Sequence, residues 1–224
     1  VALFAHKLGL NLLLVHCDNG WNSKEAAQNI FNIVSETGFD LETVVLDWRE
    51  FSDIQRSFIF AGVVDIEMIT DHANRASMFK VAKDLKIKRV FSGNNFTTEH
   101  TMPSAWVWNK RDVKNIKSIH RKFGTREIKN FPFLGSLQLN LYTKLGLGFI
   151  YEEPLCFINY NKARAMSELK VAFDWKYYGG KHFESDFTKF YQTYILPVKF
   201  NIDKRRAHLS DLIHSNQLSL FEAK

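Results

Sequence analysis

Residues 12–15, Leu-Leu-Leu-Val, run straight into His16-Cys17-Asp18-Asn19-Gly20-Trp21-Asn22-Ser23, and this stretch constrains the fold more than any other. The aliphatic run is too short for a free-standing helix and suits a strand covered on both faces in a parallel sheet. Asp18, Asn19 and Gly20 carry turn chemistry. Asn22 with Glu25 three residues on is a helix-start signature in which each residue satisfies the other's backbone donor. Strand, polar turn and helix in that order make a βα corner. In open α/β sheets ligands bind at such corners, outside the carboxyl ends of the strands. The same polar residues also read as a plain connecting turn.

The alternation continues. Ala27, Ile30, Phe31 and Val34 form a helical stripe that stops at Gly38. Residues 43–46 are short and β-rich, and Asp47 with Glu50 repeats the capping arrangement. Phe51, Ile54 and Phe58 then share one helix face before Gly62. Thr70 or Asp71 is expected to cap a further helix, with Ala76, Phe79, Ala82 and Leu85 inward. That helix leads into a third strand, residues 89–92, ending in Gly93-Asn94-Asn95-Phe96-Thr97-Thr98-Glu99. This βαβα order calls for a parallel sheet. At the second polar strand end, Gly93 lets backbone approach a ligand, while Asn, Thr and Glu offer donors and acceptors.

The second half is different. Residues 109–129 carry eight Lys or Arg against Asp112 and Glu127, with Val113, Ile116 and Phe123 at helical spacing. The expected structure is a solvated basic helix with an apolar underside. Residues 131–150 are free of charge except for Lys144 and read as a buried or partner-facing helical segment. Asn161 is the expected cap of a helix reaching about Phe173. Residues 175–185 then gather Gly179, Gly180, Lys181, His182 and Glu184 in one loop, which can present backbone N–H groups and an ammonium to an anion. Asp203-Lys204-Arg205-Arg206 begins the last helix with cations in its first turn, an arrangement that favours an anionic neighbour.

The totals narrow the class of protein. With 224 residues, 46% hydrophobic and 24% charged, the chain has an ordinary globular balance. No apolar run reaches the ~18 to 20 residues of a membrane span, so a cytoplasmic protein is expected. Cys17 and Cys156 form neither a metal-ligand pair nor a disulfide framework, and no metal site is expected from protein ligands. The net charge of +6 favours anionic partners. The first residues look like the back half of a helix ending near Gly9, and an upstream segment is expected.

Five motifs in order carry a resemblance: His16-Cys17-Asp18-Asn19-Gly20-Trp21-Asn22-Ser23, Thr70-Asp71-His72-Ala73, residues 92–99, Tyr178-Gly179-Gly180-Lys181-His182, and residues 203–209. Together they make the chain resemble the N-acetyl sugar amidotransferases. These are PP-loop ATP pyrophosphatases of bacterial surface polysaccharide, lipopolysaccharide O-antigen and nonulosonic acid biosynthesis. The resemblance covers essentially the whole chain. It implies a Rossmann-like α/β fold of the adenine nucleotide alpha hydrolase type, a parallel sheet with helices on both faces, over residues 1–108. A mainly helical substrate or partner region over residues 109–224 would follow. The family's Ser-Gly-Gly-x-Asp-Ser loop, the principal pyrophosphate cradle, does not occur in this sequence and is expected upstream.

The implied reaction converts the acetamido group of a nucleotide-activated N-acetyl sugar to an acetamidino group through an adenylated intermediate, using ATP and Mg²⁺. Ammonia would come from a separate glutaminase subunit, with a cyclase-like companion. By the same resemblance His16, Cys17, Asp18 and Asn19 would meet the adenosine, with Gly93 and Asn94 beside it, and Lys181 and Arg205 would contact phosphates. Asp71, Glu99 and His182 would orient the sugar or move protons. A PP-loop tRNA-modifying enzyme is the alternative, with residues 109–129 as its RNA footprint, as is a non-catalytic nucleotide-binding module. The basic residues are not interleaved with stacking aromatics, and nucleic acid is not the expected partner.

Overall fold

The structure is a computed structural model that describes residues 1–146 and 148–223; Leu147 and Lys224 lie outside the described residues. Helix α1 (Ala2–Lys7) leads to β1 (Leu13–Asp18), α2 (Lys24–Thr37), β2 (Asp40–Val45), α3 (Trp48–Ala61) and α4 (Met68–Asp84). Strand β3 (Arg89–Phe91) precedes α5 (Phe96–Glu99), α6 (Val113–Phe123), α7 (Ser136–Lys144) and β4 (Ile150–Glu152). Helices α8 (Lys162–Phe173), α9 (Asp186–Phe190), α10 (Leu196–Phe200) and α11 (Lys204–His214) complete an α/β protein.

The first corner forms as expected, with shifted boundaries. β1 extends through Asp18, so His16 and Cys17 belong to the strand. Ser23, not Asn22, caps α2 by accepting from the Ala26 amide, because Asn22 turns its side chain back to His16 and Asp18. Gly38 and Gly62 end α2 and α3 in the left-handed conformation. On α2 the buried positions are Ala26 and Asn29, whereas Phe31 faces solvent. Glu67, not Thr70 or Asp71, occupies the cap position of α4, and Leu85 is exposed beyond its end. α1 closes at Leu8 with Gly9 at positive φ, as its sequence suggests.

The sheet departs from expectation. β1 pairs in parallel with β2 in a register that sets Leu13 opposite Asp40 and Asp18 opposite Val45. β3 instead pairs in parallel with β4, Arg89 opposite Ile150, and the described strands form two separate two-stranded sheets. The uncharged segment of residues 131–150 therefore ends in a strand, and its helix α7 leaves Leu137 and Leu141 in solvent. Neither is β1 covered on both faces, since Val15 and the β2 residues Leu41 and Val45 are exposed.

One core joins the two halves of the chain. Phe51, Ile54 and Phe58 of α3 and Met68 and Ile69 of α4 pack with Ile116 of α6, Phe131, Tyr191 and Leu196. α6 is thus the basic helix with an apolar underside, anchored on α3 by Ile116. Among the described residues no helix is long and apolar enough to cross a membrane.

Candidate functional site

Side chains from six parts of the chain, Tyr151 of β4 among them, surround one polar depression of about 370 Å³. α4 contributes Asp71, Asn74 and Arg75, which share a face because residues three and four apart are neighbours on a helix. The end of β3 and α5 bring Asn94 and Glu99; the following loop brings Thr101 and Lys110. The glycine-rich loop brings Lys181 and His182, and α11 brings His208 and Asp211.

These groups hold one another in defined positions. Lys110 Nζ lies 2.6 Å from Asp65 Oδ2 and 3.2 Å from Asp71 Oδ2. Lys181 donates to the Thr98 carbonyl, and its Nζ is 3.8 Å from Glu99 Oε1. Burial lowers the Lys181 pKa, an effect that the charges of Glu99 and Asp211 partly offset. Asp211 is buried; its Oδ1 accepts from the Thr101 amide at 2.8 Å, while its Oδ2 has no hydrogen-bond partner. His208 stacks edge-on against His182 with ring centroids 5.7 Å apart. Burial, then the neighbouring Lys181 and His182, pushes the His208 pKa down to about 3, so this imidazole is neutral at physiological pH.

Two glycines shape the surroundings. A Cβ at Gly180 would lie 2.5 Å from the Phe183 ring, so the loop carrying Lys181 closes over that ring only without a side chain there. Gly20 adopts φ +81°, and a Cβ on it would meet the Trp48 ring at 2.9 Å. His182 itself sits at φ +64°, held beside Glu184 at 3.6 Å. Burial alone would raise the Glu184 pKa, but the hydrogen bond and charge of His182 outweigh it and lower it.

The structure thus gathers Asp71, Asn94, Glu99, Lys181 and His182 around one depression. His16, Cys17, Asp18 and Asn19 stand at the end of β1 instead. There Asn22 Nδ2 donates to His16 Nε2 at 3.0 Å, Asp18 Oδ1 accepts from the Gly20 amide at 2.9 Å, and Asn19 Oδ1 accepts from the Trp21 amide at 3.1 Å. Burial lowers the His16 pKa and raises that of Cys17, whose sulfur lies 3.5 Å from Ser77 Oγ. Gly93 is open, with nothing within 4 Å of an added Cβ. Arg205 projects into solvent and is bound to Asp203 through Nε and a guanidinium nitrogen 2.7 Å from Oδ2.

The β1 corner and the depression are nevertheless physically joined. Ser23 N donates to the Glu184 carbonyl at 2.8 Å, Asp186 N donates to the Trp21 carbonyl at 2.9 Å, and Asn22 bridges Ser185 in antiparallel fashion. Sequence reasoning missed Arg75, Lys110, His208 and Asp211. Two helical spacings signal three of them: Arg75 follows Asp71 by four residues, and Asp211 follows His208 by three, while Lys110 lies in a loop with no such spacing.

Fold and site together define an α/β protein with a charged depression at a strand end. Residues 184–224 match the family model described as LPS biosynthesis protein WbpG-like, C-terminal domain. The matched segment contains α9 to α11 and so supplies His208 and Asp211 to the depression. This match supports a role in polysaccharide biosynthesis. No curated protein and no solved structure matches the chain.

Proposed function

We propose that this chain works in an ATP-dependent amidotransferase that converts the acetamido group of a nucleotide-linked N-acetyl sugar to an acetamidino group. The observation that carries this reading is the enclosed Lys181 ammonium facing the carboxylates of Glu99 and Asp211 beside Asp71, in a chain whose C-terminal segment resembles LPS biosynthesis proteins.

An amide carbonyl is a poor electrophile and its oxygen a poor leaving group. ATP supplies the remedy: the amide oxygen takes the AMP unit while pyrophosphate leaves, and ammonia then adds at the carbon as AMP departs with a proton lost from nitrogen. The protein's task is to position these groups and to neutralise charge. Lys181 is the cation for a phosphate oxygen. Asp71 and Glu99, both solvent-facing at the depression, are the acceptors for the ammonia proton. The same two carboxylates would hold a Mg²⁺ brought by the polyphosphate, which would neutralise phosphate charge. The β1 corner, with Asp18 and Asn19 at a strand end, is the place for the adenosine. Ammonia is delivered by a separate glutaminase subunit, so this chain needs no nucleophilic cysteine of its own.

The test is mass spectrometry of a reaction containing the full-length protein, ATP, ammonium and a panel of nucleotide-linked N-acetyl sugars. Replacement of one amide oxygen by an NH group, with AMP and pyrophosphate released, is expected. ATP-independent binding of the sugars with no such product would overturn the reading.

A further inference from the structure

Beside the depression lies a second cavity of about 350 Å³, and Arg75, Lys110 and Tyr151 line both. Met78 and Phe79 of α4, Leu134, and Phe149 ahead of β4 give it an apolar wall, and Arg111 and Asn140 add polar groups at its edge. Phe79 and Phe149 lie with ring centroids 5.8 Å apart. His72 fixes this wall from behind: its Nδ1 donates to the Lys110 carbonyl at 2.6 Å, and its Nε2 accepts from the Leu134 amide at 3.1 Å. Burial lowers the His72 pKa, which keeps the ring in the neutral form that this donor–acceptor pair requires.

The cations at this cavity are unequally occupied. Lys110 is held by Asp65 and Asp71. Arg75 and Arg111, both exposed at the cavity, make no ion pair or hydrogen bond from their guanidinium groups among the described residues. Asn140 brings to the same wall a side-chain amide that makes no hydrogen bond among the described residues. Two unpaired guanidiniums call for a phosphate-type anion, which they recognise through paired N–H donors. An aromatic wall with one free amide suits a flat heterocycle, stacked on its face and read at its edge. The volume sits at the low end for small-molecule sites and excludes a long hydrocarbon chain.

We infer that this second cavity seats the base of a nucleoside diphosphate, with the diphosphate on Arg75 and Arg111. The inference rests on the proposed reaction and deepens it. A sugar attached to that diphosphate then passes over the wall shared through Arg75, Lys110 and Tyr151 and reaches the depression holding Asp71, Glu99 and Lys181. The sugar nucleotide and ATP thus occupy different places, the first between α4 and the segment around α7, the second toward the β1 corner.

Titration calorimetry of the chain with UDP, CDP and GDP tests this, with geranyl diphosphate as a lipid-type competitor and ADP as a control. At least one of the three nucleotides is expected to bind, and Arg75→Ala and Arg111→Ala are each expected to weaken it about tenfold or more. ADP affinity is expected to be unchanged by Arg111→Ala. Absence of binding by all three, equal affinity in both variants, or displacement by geranyl diphosphate at equal concentration each overturns the inference. Failure is separable from failure of the proposed reaction. Amidine formation with an unchanged KM for the sugar nucleotide in both variants would sink the cavity assignment alone; nucleotide binding with these sensitivities but no amidine product would sink the reaction alone.

Discussion

His120 Nε2 lies 2.8 Å from Asp53 Oδ2, and this contact fastens α6 to α3 at the back of the core. The same carboxylate accepts from the Thr125 hydroxyl at 2.7 Å, the Thr125 amide at 2.9 Å and the Arg126 amide at 3.0 Å. A side chain only 4% exposed thus organises the turn that ends α6.

Burial would raise the Asp53 pKa, but the hydrogen bonds from Thr125, His120 and Arg126 outweigh it and hold the carboxyl at about 2. A depressed carboxylate contributes stability that is present above its unfolded value, about 3.9, and is lost as pH falls toward the folded value. Asp53→Asn is therefore expected to lower the urea midpoint at pH 7 by an amount equivalent to about 2–4 kcal/mol. Its deficit relative to wild type shrinks between pH 4 and pH 2. Equal midpoints at pH 7 would refute this.

Glu67 behaves in the opposite sense. Burial, reinforced by Asp71 and opposed by Lys204 and the Thr188 hydrogen bond, pushes its pKa up to about 7. A raised folded pKa means the stabilising form is the neutral acid, fully present below the unfolded value near 4.5 and lost as pH rises through 7. Glu67→Gln should keep the neutral shape and gain thermal stability over wild type on going from pH 5 to pH 8. A Tm difference that stays constant across that range counts against it.

Lys181 offers a third test. Its ammonium is enclosed, with Thr98, Glu99 and Asp211 as its near acceptors and neighbours. In the full-length enzyme Lys181→Ala is expected to reduce ATP-dependent turnover by about 100-fold, the size typical of removing one preorganised electrostatic contact. Unchanged kcat and KM would remove Lys181 from the site.

What was legible in the sequence was local. Asp47, Asn161 and Asp203 cap their helices through contacts two or three residues away, and Gly38 and Gly62 end theirs, because these geometries depend on a few adjacent residues. Partners distant in sequence were not legible. Glu50 looked like the reciprocal half of a capping box, yet its carboxylate accepts the amides of Lys129, Asn130 and Phe131 some eighty positions on. β4 was hidden for the same reason: three residues, Ile150–Glu152, that begin where the uncharged run stops are too few to carry a strand period, and only β3 defines them. Within the candidate site, motif residues Asp71, Asn94, Glu99, Lys181 and His182 do meet at one depression, while Arg75 and Lys110 lie outside every motif and are placed only by the packing of α4 against the loop before α6.

The backbone splice between residues 21–23 and 184–186 gives the molecule a mechanical property. Its two N–H···O bonds, which together make the antiparallel bridge between Asn22 and Ser185, tie the turn after β1 to the loop bearing Lys181. The two regions that carry these polar motifs are consequently stitched to each other through main chain, three residues from the one that bears the ammonium.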